Sequence, residues 1–174
     1  MDGPSGMPHQ TEGIWTVDYN NAKWVTSAGE DAYRRGLYTY LRRSSPYPSF
    51  ISFDASERET CLSRRINTNT PLQALITLND PVYFEAAINL AQQVENIEGN
   101  KKAKVDLAYK KVMGKKISEE KSKILSNLLE ETEAYYIDNE EEAFELIKSE
   151  NLELASLTVV VNALMNMDEF LVKN

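Results

Sequence analysis

The chain has 174 residues, enough to enclose one hydrophobic core, and a net charge of −8. An acidic surface repels phosphate backbones, so nucleic acid is not expected as a partner. No apolar run reaches the roughly 18 residues of a membrane-spanning helix, so no membrane span is predicted. Cys61 is the only cysteine and His9 the only histidine, which excludes an internal disulfide and a Cys/His zinc site.

The N-terminal region is predicted to begin as irregular chain and then to form one helix. Residues 1–30 are rich in turn formers, whereas residues 30–43 carry apolar residues at helical spacing. Gly36 and the β-favouring residues that follow it weaken this helix. The apolar positions are Tyr33, Leu37, Tyr40 and Leu41, and the acid–base pairs four residues apart are Glu30/Arg34 and Asp31/Arg35.

Two later helix starts are marked by a capping residue followed by proline. Thr70 precedes Pro71, and Gln73 stands where a capping box requires it. Asp80 precedes Pro81 in the same way, which predicts a sharp bend between two helices. The apolar stripe of the second helix is Phe84, Ala87, Ile88, Ala91 and Val94.

From residue 101 onward the pattern is helical to the end of the chain. A helix is predicted over residues 101–113, and Gly114 can terminate it. Ser118 caps the next helix, in which two glutamates favour the positive end of the helix dipole. Its inward stripe is predicted to be Ile124, Leu125, Leu128, Leu129 and Tyr135 or Tyr136.

The last two predicted helices complete an all-helical C-terminal region. A short helix over residues 141–148 is predicted to bury Phe144 and Ile147, and another covers residues 152–167. Short loops between helices favour an antiparallel arrangement. The predicted fold class is therefore mainly α, with an irregular Arg-rich N-terminal half packed on an antiparallel helical bundle.

The charge pattern divides the chain into two regions. Residues 1–99 hold all seven arginines, and residues 100–174 form a Lys/Glu-rich bundle. Arginine presents a planar fork for paired contacts, whereas lysine mostly solvates a surface. Both regions are expected to belong to one compact domain, itself a fragment of a larger protein.

The arginines suggest a binding site for an anionic group such as a uronate, a sulfate or a carboxylate. The alternative is that they form structural ion pairs, and this is favoured because acids nearly match arginines locally. The candidate ligand-binding residues are Arg34, Arg35, Asp54, Arg58, Arg64 and Arg65. The candidate structural partners of the arginines are Glu30, Asp31, Asp54, Glu57 and Glu59.

Three other patterns indicate chemistry less specifically. Asp54 with Glu57 or Glu59 could form the acid/base pair of a glycosidase. Aromatic side chains such as Trp15 and Trp24 could stack on sugar rings. The acidic helices could recruit calcium. Each pattern is more often structural, since paired carboxylates, core aromatics and solvated acidic faces are common. No catalytic residue and no metal ligand is predicted, and the isolated chain is not expected to be an enzyme.

Several motifs together resemble one family. They are Gly13-Ile14-Trp15, the run from Tyr33 to Thr39, Pro48-Ser49-Phe50, Phe53-Asp54-Ala55, Arg58-Glu59-Thr60-Cys61, Arg64-Arg65, the run from Thr68 to Leu75, Leu78-Asn79-Asp80 and the ending from Ala163 to Phe170. The chain resembles the domain-of-unknown-function 1553 family. This is the C-terminal module of planctomycete-type cytochrome c multidomain proteins, which also occur in Bacteroidetes.

The resemblance implies a context that composition does not reveal. The parent protein is expected to be large, extracytoplasmic (periplasmic or at the cell surface) and connected with polysaccharide utilisation, although no signal peptide begins this sequence. Haem is expected only in an upstream domain, so this chain should carry no cofactor. The expected partners are the upstream domains of the same polypeptide, with polysaccharide as a further candidate.

The expected function is that of an uncharacterised structural or interaction module without independent catalysis. The alternative is a part of a carbohydrate-active enzyme, or an acidic-glycan-binding module, that uses the arginine and carboxylate cluster. An exposed apolar patch within residues 1–50 favours docking. A concave pocket lined by Asp54, Arg58 and the Arg34/Arg35 pair favours the enzyme, and unpaired, solvent-facing arginines favour glycan binding.

Overall fold

The computed structural model describes residues 5–10, 23–42, 46–56, 63–64 and 68–172. Its contacts divide the chain into a first unit, Met1–Thr68, and a second unit, Asn69–Asn174. The boundary predicted from charge, at residues 99/100, lies inside the second unit. The described residues are mainly helical, which confirms the predicted fold class. No helix in these ranges is both long and apolar enough to cross a membrane.

The first unit consists of short elements joined by extended chain. Two 3-10 helices cover Gly29–Tyr33 and Gly36–Tyr38, and helix α1 covers Pro48–Ser52. Gly6 pairs with Thr39 in an isolated parallel bridge. In that bridge the Gly6 amide donates to the Tyr38 carbonyl at 2.8 Å, and the Tyr40 amide donates to the Gly6 carbonyl at 2.8 Å.

The prediction of one helix over residues 30–43 is wrong. Arg34 and Arg35 have ψ of 144°, and Thr39 has ψ of 133°, so the chain is extended after each 3-10 turn. The backbone next to Thr39 bonds to Gly6, which lies 33 positions earlier in the sequence, instead of continuing a helix. This non-local pairing agrees with the weak helix propensity of Gly36 and the β preference of the residues after it.

The second unit contains seven α-helices within its described residues. They are α2 (Pro71–Asn79), α3 (Pro81–Glu95), α4 (Lys101–Met113), α5 (Glu119–Asp138), α6 (Glu140–Ile147), α7 (Leu152–Met165) and α8 (Asp168–Leu171). The predicted helix starts are confirmed at Pro71 and Pro81, and so is Ser118 as the cap of α5. Gly114 ends α4 in the left-handed conformation, with φ of 71°, which glycine adopts without strain.

Local chemistry accounts for the bend between α2 and α3. The Gln73 amide donates to the Thr70 hydroxyl at 3.3 Å, and the Thr70 amide donates to the Gln73 side-chain oxygen at 3.1 Å, completing the capping box. Asp80 ends α2 and caps α3, because its carboxylate accepts from the Val82 amide at 2.8 Å. The chain therefore changes direction at one residue.

Helix α7 is the centre of the bundle. It packs against α3, α4, α5 and α6, and ten of its fourteen residues are buried. Full burial of a leucine or valine contributes about 1.5–3 kcal/mol, so this helix contributes most to the core. The fully buried α7 side chains are Leu157, Thr158, Val160, Val161 and Leu164, with Ala155 and Ser156 beside them.

Two predicted core positions are wrong. Phe144 on α6 is 47% exposed, and Ile124 on α5 is 60% exposed. Ala143 takes the inward position on α6, where it packs with Tyr136 and Ala155. The short apolar pattern of each helix was compatible with more than one buried face. Packing against the other helices decided which side chains are buried.

Candidate functional site

Contacts with Asp31 and Tyr38 help to hold Arg34 inside the first unit. Its Nε atom lies 3.0 Å from Asp31 Oδ1, one turn earlier, and its guanidinium carbon lies 5.5 Å from the centre of the Tyr38 ring. The side chain is only 15% exposed. Partial burial strengthens a charge contact with a carboxylate and with an aromatic face. This arginine therefore acts as a brace of the turn, and its carboxylate partner is Asp31 rather than Glu30.

Arg35 and Arg64 are placed differently from Arg34. Both are exposed, and neither guanidinium group forms an ion pair or hydrogen bond with another described residue. Exposed guanidinium groups keep all their donors available to solvent or to an anion. Glycan binding by these two arginines stays a prediction.

Asp54 closes the loop that ends the first unit. Its Oδ2 atom accepts from the Thr68 amide at 2.6 Å and from the Thr68 hydroxyl at 2.8 Å. The residue has φ of 53°, a left-handed conformation that aspartate tolerates better than most residues. These bonds give the carboxylate a structural role as an acceptor.

The remaining members of the predicted site lie outside the described residues. They are Arg58 and Arg65, and the same holds for Glu57, Glu59 and Cys61. Arg34, Arg35, Asp54 and Arg64 are described, and Arg34 pairs with Asp31 in place of the predicted Glu30. The arginine site as a whole stays a prediction.

An aromatic cluster organises the first unit next to these residues. Trp24 stacks parallel to Tyr47 at 6.0 Å between ring centres, and Tyr47 meets Phe50 edge-on at 5.5 Å. The Trp24 indole donates to the Pro8 carbonyl at 2.9 Å, and the Tyr47 hydroxyl donates to the His9 carbonyl at 2.9 Å. These rings stack on one another and hold the chain near residues 8–9, so they serve structure, as the sequence favoured.

Other apolar side chains of the first unit are exposed. We call them the exposed apolar set: Val25, Tyr33, Leu37, Tyr40 and Ile51. Leu37, the most exposed, shows 73% of its surface, and Val25 shows 70%. The helical spacing of Tyr33, Leu37 and Tyr40 predicted one helix and did not indicate that these side chains are exposed. The low helix propensity of Gly36 and the β preference of the residues up to Tyr40 conflicted with a helix, and this conflict could have indicated the exposed, extended chain.

The C-terminal helix of the second unit is fixed by one carboxylate. Glu169 on α8 accepts from the Tyr109 hydroxyl at 2.8 Å and lies 2.9 Å from the Lys115 ammonium, and it also pairs with Lys121. Hydrogen bonds from Lys121, then from Lys115 and Tyr109, lower the pKa of Glu169 from 4.5 to about 2. These contacts attach α8 to the rest of the bundle.

A groove lies beside α6 at the far end of the bundle. It encloses about 610 Å³, and its lining residues are Glu140, Glu141, Phe144, Glu145, Glu150 and Leu152. The acidic run of α6 was noted in the sequence as a weak calcium candidate. Within the described part of the chain, no group of three or more acidic, histidine or cysteine side chains could hold a metal ion.

The comparisons with known proteins decide the family. Residues 1–129 match the model of the PSD1 family, described as a protein of unknown function (DUF1553). The chain belongs to this family. The match includes the whole first unit and extends into α5, so it covers most of the chain. No curated protein and no solved structure matches the chain. The resemblance found in the sequence motifs is thereby confirmed, and the family description assigns no activity.

Proposed function

We propose that the chain is a structural and interaction module of a larger exported bacterial protein, with no catalytic activity of its own. The exposed apolar set of the first unit carries this proposal. Single exposed apolar residues are ordinary on a soluble protein, but several within residues 25–51 point to a surface that another surface covers. The resemblance to multidomain cytochrome c proteins supports the upstream domains of the same polypeptide as the partner.

The roles of the charged residues are compatible with docking. Arg34 and Asp54 are engaged in contacts that hold the first unit together, and the apolar side chains form part of its exposed surface. The proposal puts the parent protein outside the cytoplasm and near polysaccharide utilisation, on the strength of the resemblance. Any haem belongs to an upstream domain, because a Cys-x-x-Cys-His attachment needs two cysteines and this chain has only Cys61.

The direct test is binding between this chain and the remainder of the polypeptide encoded by the same reading frame, each purified separately. The variant Val25→Ser/Leu37→Ser removes the two most exposed members of the set. Its matched control is Leu72→Ser/Leu75→Ser, which changes two exposed leucines of α2. We expect calorimetry to show binding that the first variant weakens by about tenfold or more, since each buried aliphatic side chain is worth over 1 kcal/mol.

Two results would contradict docking through the exposed apolar set. One is no binding between the two parts, and the other is equal loss of binding in the variant and its control. Circular dichroism of each variant must match the wild type, which the exposure of the four side chains leads us to expect.

The second candidate function is recognition of acidic glycans, and the exposure of Arg35 and Arg64 favours it. Thermal unfolding with neutral, uronate-containing and sulfated oligosaccharides tests it. A ligand at 100 times its Kd stabilises by about 2.7 kcal/mol, which raises the midpoint measurably. Glycan binding predicts a shift for acidic sugars only, lost in Arg35→Ala/Arg64→Ala and kept in the charge-matched control Lys110→Ala/Lys116→Ala, which changes two exposed lysines. No shift with any sugar contradicts it.

A further inference from the structure

The groove beside α6 combines an apolar floor with an acidic rim. Glu140, Glu141, Phe144 and Glu145 come from α6, and Glu150 and Leu152 lie across the connection to α7. Phe144 is 47% exposed, and Ala143 takes the core position on the same helix. A large aromatic ring therefore faces an open groove of about 610 Å³, a size typical of pockets that bind small molecules or a few side chains.

The groove glutamates differ from those acids of the bundle that form ion pairs. Several glutamates elsewhere in the second unit pair with lysines of neighbouring segments: Glu133 with Lys101, Glu119 with Lys102, Glu153 with Lys104, and Glu169 with Lys115 and Lys121. The four groove glutamates are exposed and have no such partner among the described residues. Glu141 and Glu145 lie one helical turn apart, a spacing at which like charges repel.

We propose that this groove binds a basic amphipathic peptide segment of a partner protein. Lysine or arginine side chains of the segment contact the groove glutamates, and one aliphatic or aromatic side chain packs between Phe144 and Leu152. Bound cations relieve the repulsion along α6, and the apolar contact buries the exposed ring. This site lies in the second unit and is separate from the exposed apolar set.

Two other occupants fit the groove less well. A small cation leaves the exposed Phe144 ring without a function, and the described acidic residues form no group that could hold a metal ion. An anionic lipid surface is repelled by four carboxylates. A segment that carries both positive charge and an apolar side chain matches both parts of the lining.

The test measures binding of defined probes to the 174-residue chain. The first probe is a fluorescein-labelled peptide of about 14 residues in which lysine and leucine occupy opposite faces of a helix. The second replaces every lysine by glutamate, and the third is spermine as an unlabelled competitor. We expect the Lys/Leu peptide to bind in fluorescence anisotropy with a Kd that weakens about threefold or more between 50 and 300 mM salt, because salt screens exposed charges.

Variants locate the binding on the groove. We expect Phe144→Ser to raise the Kd about fivefold or more, and Glu141→Gln/Glu145→Gln to raise it about threefold. The matched control Glu130→Gln/Glu131→Gln removes the same charge from exposed positions on α5 and should change the Kd less than twofold. Three results would overturn the proposal. The Glu/Leu peptide could bind as tightly as the Lys/Leu peptide, spermine at equal charge could displace the Lys/Leu peptide completely, or the control variant could change the Kd as much as the groove variants.

Discussion

The two units of the chain are stabilised in different ways. The second unit buries two apolar clusters around α7, whereas Tyr47 is the only buried hydrophobic side chain among the described residues of the first. The first unit relies on hydrogen bonds from Trp24 and Tyr47 to backbone carbonyls and on the bridge between Gly6 and Thr39. Both units expose apolar side chains, but the described residues of the first unit have almost no buried apolar core beneath them. This difference in burial is the physical basis of the proposed docking role.

The largest expected effect is in the core of the second unit. Leu157→Ala removes a side chain with no exposed surface and leaves a cavity, so we expect a loss of about 2–5 kcal/mol in the free energy of unfolding. Leu75→Ala is the control, because Leu75 is exposed and should change stability by about 0.5 kcal/mol or less. Urea unfolding followed by far-ultraviolet circular dichroism measures both. Similar losses in the two variants would contradict the position of the core.

A smaller effect is expected from the hydrogen bonds of the first unit. Tyr47→Phe removes the hydroxyl that donates to the His9 carbonyl, and we expect a loss of about 1 kcal/mol. Tryptophan fluorescence reports on this unit, since both tryptophans of the chain lie in residues 1–68. The control is Tyr135→Phe, whose hydroxyl bonds to the exposed Glu142 and should contribute less. An unchanged midpoint of fluorescence-detected unfolding in Tyr47→Phe would show that this hydrogen bond does not stabilise the first unit.

The sequence predicted the elements whose causes are local. The starts of α2 and α3 follow from a cap and a proline at Thr70-Pro71 and Asp80-Pro81, and the end of α4 follows from Gly114. The stretch from residue 30 to 43 could not be predicted, because its backbone pairs with Gly6, far away in the sequence. A local sequence pattern does not show which distant residue a segment will pair with. Once the chain folds, such a pairing can override the local preference for a helix.

The candidate sites show the same limit. The sequence identified the arginines, and it anticipated that Arg34 would pair with an acid of its own segment. It assigned Phe144 to the core, so it could not reveal the groove. The groove depends on the face that α6 turns inward and on the chain reversal at Lys148, which has φ of 55°. Neither feature has a marker in the sequence, since glycine usually occupies that left-handed position.

Lys148 provides the third test, at the junction that forms the groove. A residue with a side chain is strained in the left-handed conformation, so Lys148→Gly should raise stability by about 0.5–1 kcal/mol. The same change at Lys110, inside α4, should instead lower stability by about 1 kcal/mol. Chemical unfolding of the two variants gives both values. A destabilised Lys148→Gly would show that its lysine makes a contact that outweighs the strain.

The smallest expected effect concerns the pH dependence of the second unit. The pKa of Glu169 is about 2 in the folded chain and near 4.5 in the unfolded chain. Its contribution to the free energy of unfolding is therefore fully present above pH 4.5 and is lost as the pH falls through 2. Glu169→Gln should therefore lower the Tm at pH 7 and have little effect near pH 2. Glu119→Gln, which breaks a more exposed pair, should differ less from the wild type at pH 7. A constant Tm difference from pH 7 to 2 would contradict the assignment.

Amide hydrogen exchange measured in two polypeptides tests docking through the exposed apolar set. The exchange of residues 25–51 is measured in the 174-residue chain alone and in the longest polypeptide that its reading frame encodes, with α7 as the internal reference. The account predicts slower exchange around Val25, Leu37 and Ile51 in the longer polypeptide, with α7 unchanged. Identical exchange of residues 25–51 in the two contexts would contradict docking through the exposed apolar set.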